Sequence, residues 1–154
     1  LAPSTSVKTT DPSFDAFRLA AASERIGGEV DARSLPNVAE ELAPGDEAVP
    51  IAWSIVGGRT IDGRPSLSIG MKGHVPLVCQ RCLAAFDWPV SQRTEVVLAK
   101  DEAALHQLDA ELDGEVVLAQ GPLDALELVE DELVLTLPFA PRHEDECPTA
   151  MLAR

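Results

Sequence analysis

The chain has 154 residues, of which 45% are apolar and only 4% aromatic, with no tyrosine, so a core has to be built from Leu, Val, Ile and Ala. That length suits one ordinary domain spanning residues 1–154, and the apolar content excludes a chain disordered by composition. With 12 basic against 26 acidic side chains and a net charge of -14, non-specific binding of nucleic acid over the whole molecule is also excluded, because phosphate affinity comes from counterions released at Lys and Arg.

The charge is unevenly spread. Residues 1–50 carry 9 acidic and 4 basic groups, residues 51–100 carry 3 and 6, and residues 101–154 carry 14 and 2. The acidic last third reads either as a solvated face that keeps the protein soluble or as a docking surface for a basic ribosomal or processing protein. Only the middle third could offer phosphate a basic surface. No apolar run approaches the roughly 20 residues that span a bilayer. No basic stretch with an apolar core precedes a cleavage site, so no secretory signal and no membrane partner are expected. Three cysteines make an odd count, which suits a reducing cytoplasm better than a disulfide framework.

In chain order, residues 1–13 are polar with two prolines and read as a loose arm. Phe17-Arg18-Leu19 and Arg25-Ile26-Gly27-Gly28-Glu29-Val30 read as short strand pieces around a turn. Leu35 to Leu42 reads as a short helix, with Ser34 as N-cap and Pro36 in the first turn, before Ala43-Pro44-Gly45-Asp46 breaks the chain. Val49 to Val56 is a predicted strand ended by Gly57-Gly58. A second runs from Ser66 to Met71, where Leu67, Ile69 and Met71 alternate, and His74 to Val78 leads into Cys79. Two more are expected at Leu83 to Val90 and Thr94 to Leu98. Sequential strands usually neighbour each other, so a meander is the economical topology, with the cysteine pair at a strand-to-strand corner.

Residues 100–114 read as a mobile acidic loop that could hold a short helix, and Glu115 to Leu118 as a short strand. Gly121-Pro122 opens the clearest helix, with Pro122 in the first position and Asp124 complementing the N-terminal dipole. Leu126, Val129, Leu133 and Leu137 are spaced for one face, with Glu127, Glu130 and Asp131 outside. The fold class expected is therefore α+β: an antiparallel β-meander with a C-terminal amphipathic helix packed on it and a short N-terminal helix.

The chemistry-bearing residues centre on Cys79-Gln80-Arg81-Cys82. Zinc takes four ligands in a tetrahedron, and C-x2-C lets two thiolates of one turn reach one ion. Cys147, with His143 four residues before it, could close that shell as a structural zinc site of Cys79, Cys82, His143 and Cys147. Unligated thiols and redox chemistry are the other two readings. Redox loses on context, since Cys82 leads into Leu83-Ala84-Ala85-Phe86 and not into a helix that would lower a thiol pKa. A c-type haem site would need a histidine where Leu83 stands. Arg81 could contact a phosphate or a carboxylate, or pair with the acidic C-terminal region. His74 and His106 read as surface residues. Glu130, Asp131 and Glu132 could suggest a metal or acid–base site, but successive helical residues diverge, which favours a solvated face. No Walker loop, dinucleotide fingerprint, nucleophile elbow or zincin motif is present, and no catalytic residue is identified.

The run Val75-Pro76-Leu77-Val78-Cys79-Gln80-Arg81-Cys82-Leu83 resembles the signature of the YceD family of large ribosomal RNA subunit accumulation proteins. So does Leu123-Asp124-Ala125-Leu126-Glu127-Leu128-Val129-Glu130-Asp131-Glu132-Leu133, continuing to Leu137-Pro138 and then His143 and Cys147. The two runs occur in the family's order and together cover nearly half the chain. The resemblance implies a bacterial or plastid-related cytoplasmic protein needed for normal levels of 23S rRNA, working with ribosomal RNA or large-subunit assembly components, and implies no enzyme activity. The positions it carries over are Cys79, Gln80, Arg81, Cys82, Asp124, Glu130, Glu132, Pro138, His143 and Cys147. Of these, Gln80, Arg81, Asp124, Glu130 and Glu132 are candidates for contact with RNA or a partner. A thiol oxidoreductase, a metal-dependent RNA-processing enzyme and a zinc module that binds an unrelated protein are the competing readings.

Overall fold

The computed structural model describes residues 13–112 and 114–138. In chain order the elements are β1 (Ser13–Phe14), α1 (Ala16–Ala22), β2 (Arg25–Asp31), a 3-10 turn (Ala32–Ser34), α2 (Pro36–Ala39), β3 (Pro50–Arg59), β4 (Pro65–Val78), β5 (Ala85–Ala99), α3 (Glu102–Glu111), β6 (Glu115–Leu118), β7 (Leu123–Asp124) and α4 (Ala125–Thr136). The fold class is α+β. Five strands form one sheet in the order β2-β3-β4-β5-β6, and β1 and β7 form a separate antiparallel pair. From β2 to β5 the sheet is the expected antiparallel meander. β6 departs from it by running parallel to β5, with Val97 opposite Val116. Parallel neighbours need a crossover of a dozen or more residues, and α3 supplies it. The segment read as a mobile acidic loop that could hold a short helix is thus largely a ten-residue helix, capped by the Asp101 carboxylate, which accepts the Ala104 N–H at 2.8 Å.

The two faces of the sheet differ in kind. Ile51, Ile55, Leu67, Ile69, Val75, Leu77, Val90 and Val96 lie on one face and are fully buried. Ala16, Leu19 and Ala20 of α1 and Ala125, Val129 and Leu133 of α4 complete the same core. The opposite face carries Gly27, Ser54, Gly70 and Arg93 in register across four strands. Most of its larger side chains, among them Arg25, Glu29, Lys72, Ser91 and Arg93, are exposed.

Several local expectations change. Phe17-Arg18-Leu19 is helical and not a strand piece, because the Asp15 carboxylate accepts the Arg18 N–H and Leu19-Ala20-Ala21-Ala22 favours a helix. Gly57-Gly58 does not end β3. The strand runs through them because α1 crosses at Gly57, where a Cβ would collide with the Leu19 carbonyl and the Ala20 backbone. The two strands expected on each side of the cysteines merge into β4 of 14 residues and β5 of 15. α2 is shorter than predicted and begins after Leu35, while the Ser34 hydroxyl donates to the Asp31 carbonyl and caps nothing. Pro122 lies ahead of α4, which starts at Ala125 with Asp124 as its N-cap. Of the arm expected over residues 1–13, all but Ser13 lie outside the described residues.

Candidate functional site

The C-x2-C segment is the turn that joins β4 to β5. Main-chain bonds close it: the Cys79 N–H donates to the Ala84 carbonyl at 2.9 Å and the Leu83 N–H to the Cys79 carbonyl at 2.8 Å. The Cys79 sulfur is buried and accepts the Arg81 N–H at 3.4 Å. Cys82 is half-buried and not in a disulfide. Leu83 sits at φ 65°, the left-handed region that L-residues avoid, with its side chain 72% exposed. Gln80 and Arg81 are exposed at the tip, and the Gln80 amide donates back to the Val78 carbonyl at 3.4 Å. Arg81 makes no ion pair among the described residues. Neither cysteine stands at a helix N-terminus.

Two soft sulfur ligands one turn apart, one already receiving an N–H bond, are a donor set that suits zinc. His143 and Cys147 lie outside the described residues. Among the described residues no group of three or more His, Cys, Asp or Glu side chains gathers to hold a metal ion. His74 and His106 are exposed.

α4 holds the second set of sequence candidates, and here the solvated face predicted for its carboxylates is corrected. Glu130 and Glu132 are 9% and 5% exposed. The Glu130 carboxylate accepts the Asn37 N–H at 2.7 Å, which supplies from 93 residues away the cap that Leu35 cannot give α2. Glu132 falls seven residues after Ala125 and three after Val129, so it shares their buried face. Burial first, and then its hydrogen bond with Glu115, push the Glu132 carboxyl up to about 7, while Thr94 opposes the rise. Asp124 stays exposed and accepts the Leu126 and Glu127 N–H groups at 2.9 and 3.3 Å. Glu130 and Glu132 therefore hold the fold from inside and offer a partner little surface.

Sequence reading missed the polar face of the sheet. The Arg93 guanidinium lies flat across β4, with Nη1 donating to the Ser68 hydroxyl at 3.0 Å and Nη2 to the Ser54 hydroxyl at 2.9 Å. Gly70 makes this possible, since a Cβ there would collide with the guanidinium. The one local signal was a glycine, Gly70, inside a strand; its pairing opposite Arg93 has no trace in the sequence.

The model of the family described as large ribosomal RNA subunit accumulation protein YceD matches residues 67–154, more than half the chain. The chain belongs to the YceD family. The match takes in β4 from Leu67, the cysteine turn, β5, α3, β6 and α4, so both runs that carried the resemblance lie inside it. No curated protein and no solved structure matches the chain. The YceD family is named for accumulation of large-subunit ribosomal RNA, which gives the chain a ribosome-related role. No helix among the described residues is long and apolar enough to cross a membrane.

Proposed function

We propose that this YceD-family chain is a non-enzymatic cytoplasmic factor in large-subunit ribosome biogenesis that supports accumulation of 23S rRNA. The observation that carries the reading is the family match over residues 67–154, which includes the cysteine turn and α4 together. On this reading the cysteines serve structure: a zinc ion on Cys79, Cys82, His143 and Cys147 would tie the C-terminal stretch to the β4–β5 hairpin and add its binding energy to folding. The N–H bond on the Cys79 sulfur supports that role. Arg81, at the exposed tip, is within the one basic third of the chain and suits the RNA side. The acidic side suits a basic ribosomal or processing protein. With Glu130 and Glu132 buried, its contact residues are the exposed Glu102, Asp109 and Glu111 of α3 with Glu127 of α4 and Asp124 at that helix's N-cap.

The test is the ratio of mature 23S to 16S rRNA after depletion of the protein in its native host. The expected result is a selective loss of 23S that the wild type restores and Cys82→Ser does not. An unchanged ratio would sink the biogenesis reading and leave the family relationship as shared fold.

A further inference from the structure

The bare face of the sheet carries three cations that this reading has not used. Arg25 on β2, Lys72 on β4 and Arg93 on β5 line one groove of about 350 Å³ together with Ser54, Ser91 and Gln92, and no carboxylate lines it. All three cations are exposed, and none makes an ion pair among the described residues. In a chain of net charge -14, three unneutralised cations converging on one groove are not explained by solubility. Arg93 is also pre-positioned. Its Nη1 and one hydrogen of Nη2 are held by uncharged oxygens of Ser68 and Ser54, over a glycine that leaves room for the plane of the guanidinium. The Nε–H and the other Nη2–H take no part in those bonds. They remain to donate, and a guanidinium can offer such N–H groups as a fork to two oxygens of one phosphate.

We propose that this groove, centred on Arg93 with Arg25 and Lys72 beside it, is a binding surface for the phosphodiester backbone of RNA. The inference rests on the ribosomal reading above for the identity of the polyanion, and names the surface that would meet it. Outward positions of β3, β4 and β5 here hold Ala52, Ser54, Ser68, Gly70, Lys72, Ser91 and Arg93, and the one aromatic residue lining the groove, Trp53, is only 6% exposed and so offers little ring surface to stack on a base. The surface therefore reads backbone and not sequence. Small side chains let an RNA strand approach the sheet closely.

The experiment is fluorescence anisotropy of the full chain with an end-labelled single-stranded RNA of about 20 nucleotides and mixed sequence. Three phosphate contacts predict a fall in affinity of about 20-fold between about 50 and 200 mM KCl, shrinking to about threefold in Arg25→Ala/Lys72→Ala. That double variant removes no hydrogen bond seen among the described residues, so it reports on charge where Arg93→Ala, which leaves Ser54 without its partner, could also disturb the sheet. Arg93→Lys should weaken binding while keeping the salt dependence, since the charge remains and the fork is lost. Wild-type affinity and salt dependence in both Arg93→Ala and the double variant would overturn the proposal. So would undetectable binding by the wild type, or loss of binding in Arg81→Ala with the sheet variants unaffected. These failures are separate from that of the biogenesis reading, which falls on an unchanged 23S to 16S ratio even if RNA occupies this groove.

Discussion

Glu132 shows how far one side chain's neighbours can decide its chemistry. It is a carboxyl in the apolar stripe of α4, facing Glu115 on β6 and Thr94 on β5, with the Asp131 charge beside it. Its folded-state pKa of about 7 stands above the ordinary value of 4.5, so the folded protein holds this proton more tightly than the unfolded chain does. The stability it confers is full below the unfolded value and is lost as pH rises through the folded one. Asp31 acts in the opposite sense. The Val49 and Arg33 N–H groups hold its carboxyl below the usual range, so its contribution is lost only in acid, as pH falls below that range. Between about pH 5.5 and 8 the Glu132 effect stands alone of the two, and the wild type should lose on the order of 1–2 kcal/mol, after allowance for solvent screening. Glu132→Gln should flatten that dependence; a slope equal to the wild type's in urea melts at the two pH values would refute it. Leu83 is a simpler case. Its left-handed backbone and exposed side chain mean that Leu83→Gly should raise stability by about 0.5–1 kcal/mol, read as a shift in urea midpoint.

At the scale of elements, glycine and proline mark both what could be read in advance and what could not. The meander, the corner at the cysteines, the strand Glu115–Leu118 and the helix with Val129 and Leu133 inward all follow from alternation and helical spacing, and all are present. The breaks within strands do not follow. Gly57 reads locally as a terminator, yet it sits in β3 because a helix from earlier in the chain rests on it, a tertiary fact without a local trace. Pro89 falls inside β5 without ending it, because β6 covers β5 only from Val96 to Ala99 and proline is tolerated on the uncovered edge that remains. The parallel placement of β6 and the distant cap from Glu130 to α2 have no sequence signal at all. Gly57→Ala should push α1 off the sheet and lower stability by about 2 kcal/mol or more, since backbone and not a flexible side chain blocks the new methyl group. A thermal melt that matches the wild type would show that α1 shifts at no cost. Of the candidate site, the turn was legible as a C-x2-C between strands. The Arg93 cradle was not, because it is assembled from three strands.

On the scale of the whole molecule, one face of the sheet is committed to the core and the other to polar groups, and the cysteine turn lies at the far end of the β4–β5 hairpin. If the turn shares a metal with the C-terminal stretch, the protein as purified should contain about one zinc per chain, and EDTA should lower Tm by roughly 10 °C. Cys82→Ser should be metal-poor and insensitive to the chelator. Metal-free wild type with an unchanged melt would discard zinc and leave the N–H bond to Cys79 as an ordinary turn contact. The order of the strands also has a consequence for synthesis. β2 to β5 pair in the order in which they leave the ribosome, so the meander can assemble as soon as Ala99 has emerged. α4, which roofs the inner side of β4 and β5, is still unmade at that moment. At a translation rate of roughly 5–20 residues per second, a nascent sheet bearing Val75, Leu77, Val90 and Val96 waits several seconds, uncovered, for the helix that closes it.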